Sequence, residues 1–215
     1  METKNNLQDI LTTIVRRIED VYRWKRYPHK YRQNVLEHTL ETALLTQIVI
    51  AGEQATGTKF DAYLLLSAAM NHDLAEGVIG DISYDIKNDI RVKALIEEIE
   101  KEQFEAMFLK LGPAYPNVLD MFKRSFAVQE EKITVEGALF NAIEKIGYVI
   151  FALREIDAGN EIFVKVLANH HEDLLNYSKR FTSIKTIFDE CIEHMKHIPT
   201  GIMLQYKFPL ELLNL

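Results

Sequence analysis

The stretch at 68–82 places several ionisable side chains directly behind an apolar segment. Its sequence, AAMNHDLAEGVIGDI, contains His72, Asp73, Glu76 and Asp81. Buried polar groups cost free energy unless a metal ion, a network of partners or water satisfies them. On a continuous helix, His72 and Glu76 would lie one turn apart on the same face, with Asp73 beside His72. One helix end could then present an imidazole and a carboxylate to one metal ion.

A second candidate ligand, His38, lies upstream in the stretch NVLEHTLETALL. Taken alone, His38 is typical of a surface histidine or a hydrogen-bonded core histidine, and His72-Asp73 of a polar pair at a helix end. The joint pattern is more specific, because a histidine is followed on successive helices by His-Asp, Glu and Gly-Asp. This pattern favours a shared metal site.

The elements that must position these residues are predicted to be helices. Apolar residues recur at spacings of three and four almost everywhere, and alternating strand patterns are scarce. Asn34 is a candidate N-cap, and Gly112-Pro113 and Gly159-Asn160 are candidate helix ends. Helices are predicted near residues 7–18, from 35 onward, and over 61–73, 89–111, 132–157, 161–176 and 180–197.

This pattern predicts an all-α protein with one helical domain over 1–198. The tail at 199–215 is apolar enough to pack against the core or a partner subunit. The run at 61–73, apolar almost all round, is predicted to be the central buried helix. The helix after Asn34 is predicted to be amphipathic, with an apolar face formed by Leu40, Leu44, Leu45, Ile48 and Val49.

Composition limits the kinds of partner. The net charge of −7 argues against a general binder of nucleic acid polymers, which needs a basic surface. The longest apolar run, 62–70, is too short to cross a bilayer, and the N-terminus does not resemble a signal peptide. The single cysteine, Cys191, fits a reducing cytoplasm. A small phosphorylated ligand remains compatible, because it needs only a local basic pocket.

Such a pocket is suggested by the basic and aromatic segment at 16–32. Arginine can hold a phosphate with two donors, and an aromatic ring can pack against a sugar or base. The alternative is a solvated basic turn with aromatic packing. Ser83 and Lys87, which follow the Gly-Asp pair, are further candidates for contact with the ligand.

Three segments resemble the HD-domain phosphohydrolase superfamily, and within it the 5′-deoxynucleotidase-like branch. They are YRWKRYPHKYRQNVLEHTLETALL (22–45), AAMNHDLAEGVIGDISYDIK (68–87) and LFNAIEKIGYVIFALREIDAGNEIF (139–163). The resemblance covers most of the chain from 22 to about 165, and the spacing between the segments is also similar. It implies an all-α bundle, in agreement with the periodicity.

The resemblance implies a role for each matching residue. The metal ligands fall on His38, His72, Asp73 and Glu144, where Glu144 replaces the aspartate of the family. It assigns catalytic importance to Glu76 and Asp81, and it places Arg23 and Trp24 at the nucleotide site. Ser83 and Lys87 are candidates from their position after the Gly-Asp pair, so the substrate-binding candidates are Arg23, Trp24, Ser83 and Lys87. Glu144 offers the same oxygen donor as aspartate on an arm one methylene longer, and the alternative is a solvated Glu144-Lys145 charge pair.

The predicted function is hydrolysis of the 5′-phosphate of a (deoxy)nucleoside monophosphate by a cytoplasmic, metal-dependent enzyme. Two imidazoles and two carboxylates suit Mn²⁺, Co²⁺, Fe²⁺, Ni²⁺ or Zn²⁺ rather than Ca²⁺. The resemblance also implies a homodimer. Two alternatives remain open: hydrolysis of a triphosphate, cyclic nucleotide or guanosine polyphosphate, and non-catalytic nucleotide binding by a decayed site.

Overall fold

α-Helices are the principal regular structure in the part of the chain that the computed structural model describes, residues 7–87, 89–109 and 115–214, and these residues form no β-strand beyond one isolated bridge between Tyr22 and Asn34. The prediction of an all-α fold is therefore confirmed. None of the helices in these ranges is long and apolar enough to cross a membrane. Two short 3₁₀ helices cover Glu161–Phe163 and Leu210–Asn214. The α-helices are α1 (Leu7–Glu19), α2 (Val35–Ala55), α3 (Ala62–Asn71), α4 (Glu76–Ile79), α5 (Tyr84–Lys87), α6 (Lys93–Leu109), α7 (Pro116–Ala127), α8 (Val135–Asp157), α9 (Val164–Ser178), α10 (Thr182–Met195) and α11 (Thr200–Gln205).

Local signals set several helix ends where the sequence predicts them. Asn34 caps α2 in a reciprocal arrangement: its side chain accepts from the Glu37 N–H, and the Glu37 carboxylate accepts from the Asn34 N–H. After α8, Gly159 adopts φ +82°, a conformation that favours glycine. The helix predicted over 89–111 is shorter, as α6, and the predicted stop at Gly112-Pro113 lies outside the described residues.

The helix predicted through 61–73 ends earlier than expected. α3 stops at Asn71, residues 72–75 form turns, and α4 begins at Glu76. Within the turns, the Leu74 and Glu76 N–H groups donate to the carbonyls of Asn71 and Asp73 at 3.2 and 3.0 Å. These bonds span three residues instead of four, which tightens and turns the chain. The prediction that His72 and Glu76 share one face of a continuous helix is therefore wrong.

The larger hydrophobic cluster is built around α8. This helix buries Leu139, Ile143, Ile146 and Val149 completely. In α3, by contrast, Tyr63 and Met70 remain exposed, so α8 rather than α3 is the central helix. The cluster also includes Met203, Phe208 and Leu212 from the C-terminal segment.

A smaller cluster joins α1, α6 and α7. Its core is a set of stacked and tilted rings from Phe104, Phe108 and Phe126, against which Ile14 and Ala75 pack. Because Ala75 belongs to the turns between α3 and α4, this cluster supports the segment that carries His72, Asp73 and Glu76.

The faces of α2 differ from the prediction. Val49 is buried as expected, but Leu40, Leu44 and Ile48 are 60%, 53% and 60% exposed. The face turned inward is largely polar. Its buried polar residues are His38, Thr42, Thr46 and Glu53. The apolar spacing predicted the helix correctly but not which face the core would cover.

Glu53 joins the end of α2 to the start of α10. Its Oε1 accepts from the Ser183 N–H at 2.8 Å and from the Ser183 hydroxyl at 2.6 Å, and its Oε2 accepts from the Thr58 hydroxyl at 2.7 Å. Phe181, at the N-cap of α10, provides no side-chain hydrogen bond, so Glu53 caps this helix from another element. Gly52 allows the close approach, because a Cβ there would lie 2.8 Å from the Ser183 Cβ.

Candidate metal centre and adjoining cavities

The chain between α1 and α2 forms a closed loop that carries Arg23 and Trp24. The Arg23 N–H donates to the Gln33 carbonyl, and the Val35 N–H donates to the Val21 carbonyl, both at 2.9 Å. These bonds bring the two ends of the loop together. Arg23 thereby reaches the region between α2 and the turns that follow α3.

Trp24 is held in the left-handed backbone region, with φ at +62°. This conformation is unfavourable for a bulky side chain and persists only when surrounding contacts impose it. Here the indole stacks on Phe151 with ring centroids 5.0 Å apart, and its N–H donates to the Gln33 amide oxygen at 3.0 Å. These contacts hold the Trp24 side chain rigidly in one position, so it is not free to move when a ligand binds.

Glu155 fastens the far side of the same loop to α8. Its carboxylate accepts from the Lys30 N–H at 2.9 and 3.1 Å and from the Tyr31 N–H at 2.7 Å. The Asn160 amide donates to it at 2.7 Å. Glu155 is fully buried, and burial disfavours its ionised form. The hydrogen-bond donors outweigh this effect and lower the pKa of Glu155. A carboxylate 125 residues downstream therefore fixes the loop that carries Arg23.

The imidazoles of His38 and His72 meet at the centre of the fold. Their Nε2 atoms are 3.2 Å apart. The Nδ1 of His72 lies 3.0 Å from the Ala69 carbonyl, which can only accept, so Nδ1 carries a proton and Nε2 faces His38. The Glu144 Oε1 lies 3.4 Å from the His38 Nε2 and 3.5 Å from the His72 Nε2.

These three donor atoms have the separations that a shared metal ion requires. His38, His72 and Glu144 form a group that could hold a metal ion. Ligands about 2.0–2.2 Å from one ion lie roughly 3–3.6 Å from each other. The Asp73 Oδ2 has similar distances, 3.2 Å from the His72 Nε2 and 3.6 Å from that of His38. The hydrogen bond from His72 to a backbone carbonyl also matches the usual way of orienting a ligating histidine.

Charge is strongly coupled in this cluster. The Arg23 guanidinium contacts the Asp73 Oδ2 at 2.5 Å. Although burial opposes the shift, the charges of His72 and Arg23 hold the pKa of Asp73 well below its usual range. Burial likewise disfavours protonated His72, but the carboxylates of Asp73 and Glu144 outweigh it and raise the pKa of His72 to about 9. In this cluster the positive charges of Arg23 and protonated His72 balance the carboxylates of Asp73 and Glu144, and a bound cation would take the place of the His72 proton.

Glu76 is buried beside the cluster and only half satisfied. Its Oε1 accepts from the Lys87 ammonium at 2.8 Å, whereas its buried Oε2 has no hydrogen-bond partner among the described residues. Burial and the Asp73 charge raise the pKa of Glu76 to about 7, against the opposing charge of Lys87. A carboxylate with one unpaired oxygen and a pKa near neutrality is suited to accept a proton.

Two cavities adjoin the cluster. The first, of about 450 Å³, is lined by the predicted substrate residues together with Asp73, Glu76 and Asp81. The second, of about 590 Å³, is lined by His72, Asp73 and Glu144 and by side chains of α6 and α8. Four residues line both cavities, namely Asp73, Lys87, Tyr148 and His170. The candidate metal centre therefore lies where the two cavities meet.

The structure brings the residues predicted from sequence together. Arg23, Trp24, Ser83 and Lys87 line the first cavity, and the buried Ser83 hydroxyl has no hydrogen-bond partner among the described residues. Glu144 points to the imidazoles rather than to solvent, and its neighbour Lys145 pairs instead with Asp173 at 2.8 Å.

Four residues that contact or line the site were not predicted from the sequence as parts of it. They are Thr42, Tyr148, Glu155 and His170. Only Tyr148 had a local signal, since it lies one turn after Glu144 on α8 and therefore shares its face.

Comparison with solved structures defines the fold class. An HD-domain phosphohydrolase from Listeria innocua superposes with a TM-score of 0.72 at 20% identity, over 96% of this chain and 95% of that one. A protein from Pyrococcus horikoshii gives a TM-score of 0.64 at 17% identity, over 88% and 99% of the two chains. The all-α arrangement is thus the fold of HD-domain phosphohydrolases.

The sequence defines the family within that class. The 5′-deoxynucleotidase YfbR-like family matches residues 11–195, and this chain belongs to it. A 5′-deoxynucleotidase from Shewanella oneidensis is 27% identical over 151 residues, covering 68% of this chain and 74% of that protein. The protein is accordingly a metal-dependent nucleotide phosphohydrolase of the HD type.

Replacing Glu155 tests the anchoring of the Arg23 loop. Glu155→Gln removes the charge that holds the Lys30 and Tyr31 N–H groups, so we expect the KM for nucleotide to rise about tenfold, since bonds to a charged group contribute roughly 1.5–3 kcal/mol. Metal affinity should not change. Glu161→Gln, at an exposed glutamate nearby, is the matched control in steady-state kinetics. An unchanged KM for Glu155→Gln would contradict the anchoring role.

The pKa of Glu76 predicts the acid limb of the pH–rate profile. A base must be deprotonated, so kcat/KM should fall as the pH drops through the pKa of Glu76. We expect this limb at or below pH 7, because a bound cation favours the carboxylate. Glu76→Gln should lower kcat by roughly a hundredfold or more and remove the limb. Glu100→Gln is the control, because Glu100 also forms an ion pair with Lys87, at 3.0 Å, but is not the proposed base. This variant should keep the acid limb. A Glu76→Gln enzyme that keeps the wild-type rate and limb would exclude Glu76 as the base.

Proposed function

We propose that this protein removes the 5′-phosphate from deoxynucleoside monophosphates, with His38, His72, Asp73 and Glu144 as metal ligands. The observation that carries the proposal is the convergence of the His38, His72 and Glu144 donor atoms beside a cavity that also contains Arg23. The activity of the Shewanella oneidensis relative gives the reaction class for the test.

The donor set favours a borderline divalent ion. Imidazole nitrogens with carboxylate oxygens suit Mn²⁺, Co²⁺, Fe²⁺, Ni²⁺ or Zn²⁺, whereas Ca²⁺ prefers an all-oxygen set. When bound, such an ion supplies a more acidic water and polarises the phosphorus–oxygen bond.

The chain's own residues have distinct tasks in this proposal. Arg23 binds a phosphate oxygen and orients the ester, and Ser83 donates its unpaired hydroxyl to the ligand. Glu76 accepts the proton of the attacking water through Oε2, while Lys87 keeps Oε1 in place. Asp81 lines the same cavity and contributes to the negative potential that raises the pKa of Glu76.

The first cavity is large enough for a small nucleotide. Its volume of about 450 Å³ falls within the range of sites for small molecules. Trp24 provides a rigid apolar wall against which a sugar or base can pack. The acidic chain as a whole remains unfavourable for a nucleic acid polymer.

A substrate screen tests the proposal. The purified protein, stripped of metal and reloaded separately with Mn²⁺, Co²⁺ or Zn²⁺, is assayed for phosphate release from 5′-deoxynucleotides, 3′-deoxynucleotides, ribonucleotides, triphosphates and cyclic nucleotides. We expect the highest kcat/KM for a 5′-deoxynucleoside monophosphate and no activity without metal. Glu144→Gln should lose metal and activity together, because a neutral amide replaces an anionic ligand. A higher kcat/KM for triphosphates or cyclic nucleotides would contradict the proposed substrate. Metal retention by Glu144→Gln would contradict the proposed set of metal ligands.

We also propose that two copies associate through the outer face of α2. The exposed side chains Leu40, Leu44 and Ile48 recur every four residues, and α2 contains no lysine or arginine. The stripe is apolar and uncharged along its length, so the same face of a second copy could cover it in a two-fold contact.

A charge placed in this stripe should separate the copies. Leu44→Glu is expected to sediment as a monomer where the wild type sediments as a dimer, because two carboxylates would be buried in an apolar contact. Met70→Glu is the matched control, since Met70 is equally exposed, at 53%, on α3. Leu44→Glu that remains dimeric, or a monomeric wild type at micromolar concentration, would contradict the proposed interface.

A cytoplasmic location is proposed on the chemistry of the thiol. Cys191 is the single cysteine, and it is buried, with burial raising the pKa of its thiol to about 11. A protonated, buried thiol needs no oxidising compartment.

A further inference from the structure

The Glu144 carboxylate is held at both of its oxygens by neighbours outside the set of candidate ligands. The Tyr148 hydroxyl donates to Oε2 at 2.9 Å, and the Thr42 hydroxyl lies 3.3 Å from Oε1. Oε1 is also the oxygen that faces the two imidazoles. The two oxygens therefore have different tasks.

This hold matters because glutamate is a flexible ligand. Its side chain has three rotatable bonds, and each must be fixed for the carboxylate to meet both Nε2 atoms at once. Tyr148 lies one helical turn after Glu144 on α8, so its hydroxyl approaches along a rigid element. The Tyr148 ring is fixed by other neighbours, including the Arg23 guanidinium at 5.7 Å and the His170 ring at 5.3 Å.

We infer that Tyr148 is a positioning residue for the metal centre: its hydroxyl occupies the Glu144 Oε2 and presents Oε1 alone to the ion. The inference rests on the proposed metal ligation by Glu144. In this arrangement Oε1 is the oxygen that faces the imidazoles, while Oε2 accepts the hydrogen bond from Tyr148. Thr42, at the longer distance, assists from α2.

Tyr148→Phe isolates the hydroxyl, because phenylalanine keeps the ring and its packing. We expect Mn²⁺ affinity, measured by calorimetry on the metal-stripped protein, to fall about 10- to 100-fold, the usual effect of removing a group that orients a metal ligand. The visible absorption of the Co²⁺-loaded protein, which depends on ligand geometry, should change as well. Tyr206→Phe removes a hydroxyl from a partly buried tyrosine of α11's C-terminal cap and should change neither measurement.

Repeating Tyr148→Phe in a Glu144→Asp variant distinguishes a role in orienting the Glu144 carboxylate from a general loss of structure. In Glu144→Asp, the carboxylate is withdrawn by one methylene, which is expected to weaken or break its 2.9 Å hydrogen bond with the Tyr148 hydroxyl. Tyr148→Phe should then alter Mn²⁺ affinity less than about twofold, since the two residues act through one contact. Equal effects in the wild-type and Glu144→Asp backgrounds would overturn the inference.

The possible failures are distinguishable. A wild-type protein that binds no Mn²⁺ or Co²⁺ contradicts the proposed function itself. A wild-type protein that binds metal, with Tyr148→Phe unchanged in affinity and Co²⁺ spectrum, contradicts only the role of Tyr148. Loss of activity with unchanged metal affinity would also overturn it, since Tyr148 would then act on the substrate.

Discussion

The structure depends on keeping several opposite charges together inside an apolar helical core. Asp73 and Glu144 are brought beside two imidazoles, and Arg23 is drawn in against Asp73. An isolated buried charge is strongly unfavourable, and removing one partner of a buried pair typically costs about 3–5 kcal/mol. The cluster is therefore stable only as a set, and each of the elements that supply it must be fixed in position.

Three kinds of constraint provide that fixing. The break between α3 and α4 turns His72, Asp73 and Glu76 in directions that a continuous helix would not allow. The loop before α2 is closed by backbone bonds at its base and by Glu155 at its far side. α8 supplies Glu144 from the most deeply buried helix of the fold. None of these elements forms the site alone.

Much of this arrangement could be predicted from the sequence. The remaining features could not, and each has a physical reason. The helices follow from apolar spacing, and the start of α2 follows from Asn34 and Glu37, because these signals act over a few residues. The candidate ligands His38, His72 and Asp73 follow from the types and order of the residues, whereas Glu144 follows only from the family resemblance. The exposure of Leu44 could not be predicted, because the spacing of apolar residues identifies an apolar stripe on a helix but not whether the core packs against it. Glu155 was missed because its partners lie 124 and 125 residues earlier in the chain.

The link between Glu53 and Ser183 has a consequence for how the protein folds. The segment that becomes α10 has no capping side chain at its own start, and the group that completes its first turn lies 130 residues earlier. Isolated helices of this length are marginal in water. α10 therefore gains its full stability only when the end of α2 has docked, and closing so long a loop is slow relative to local helix formation. Since α2 also carries His38, a candidate metal ligand, the Glu53–Ser183 contact connects the start of α10 directly to the helix that contributes to the site.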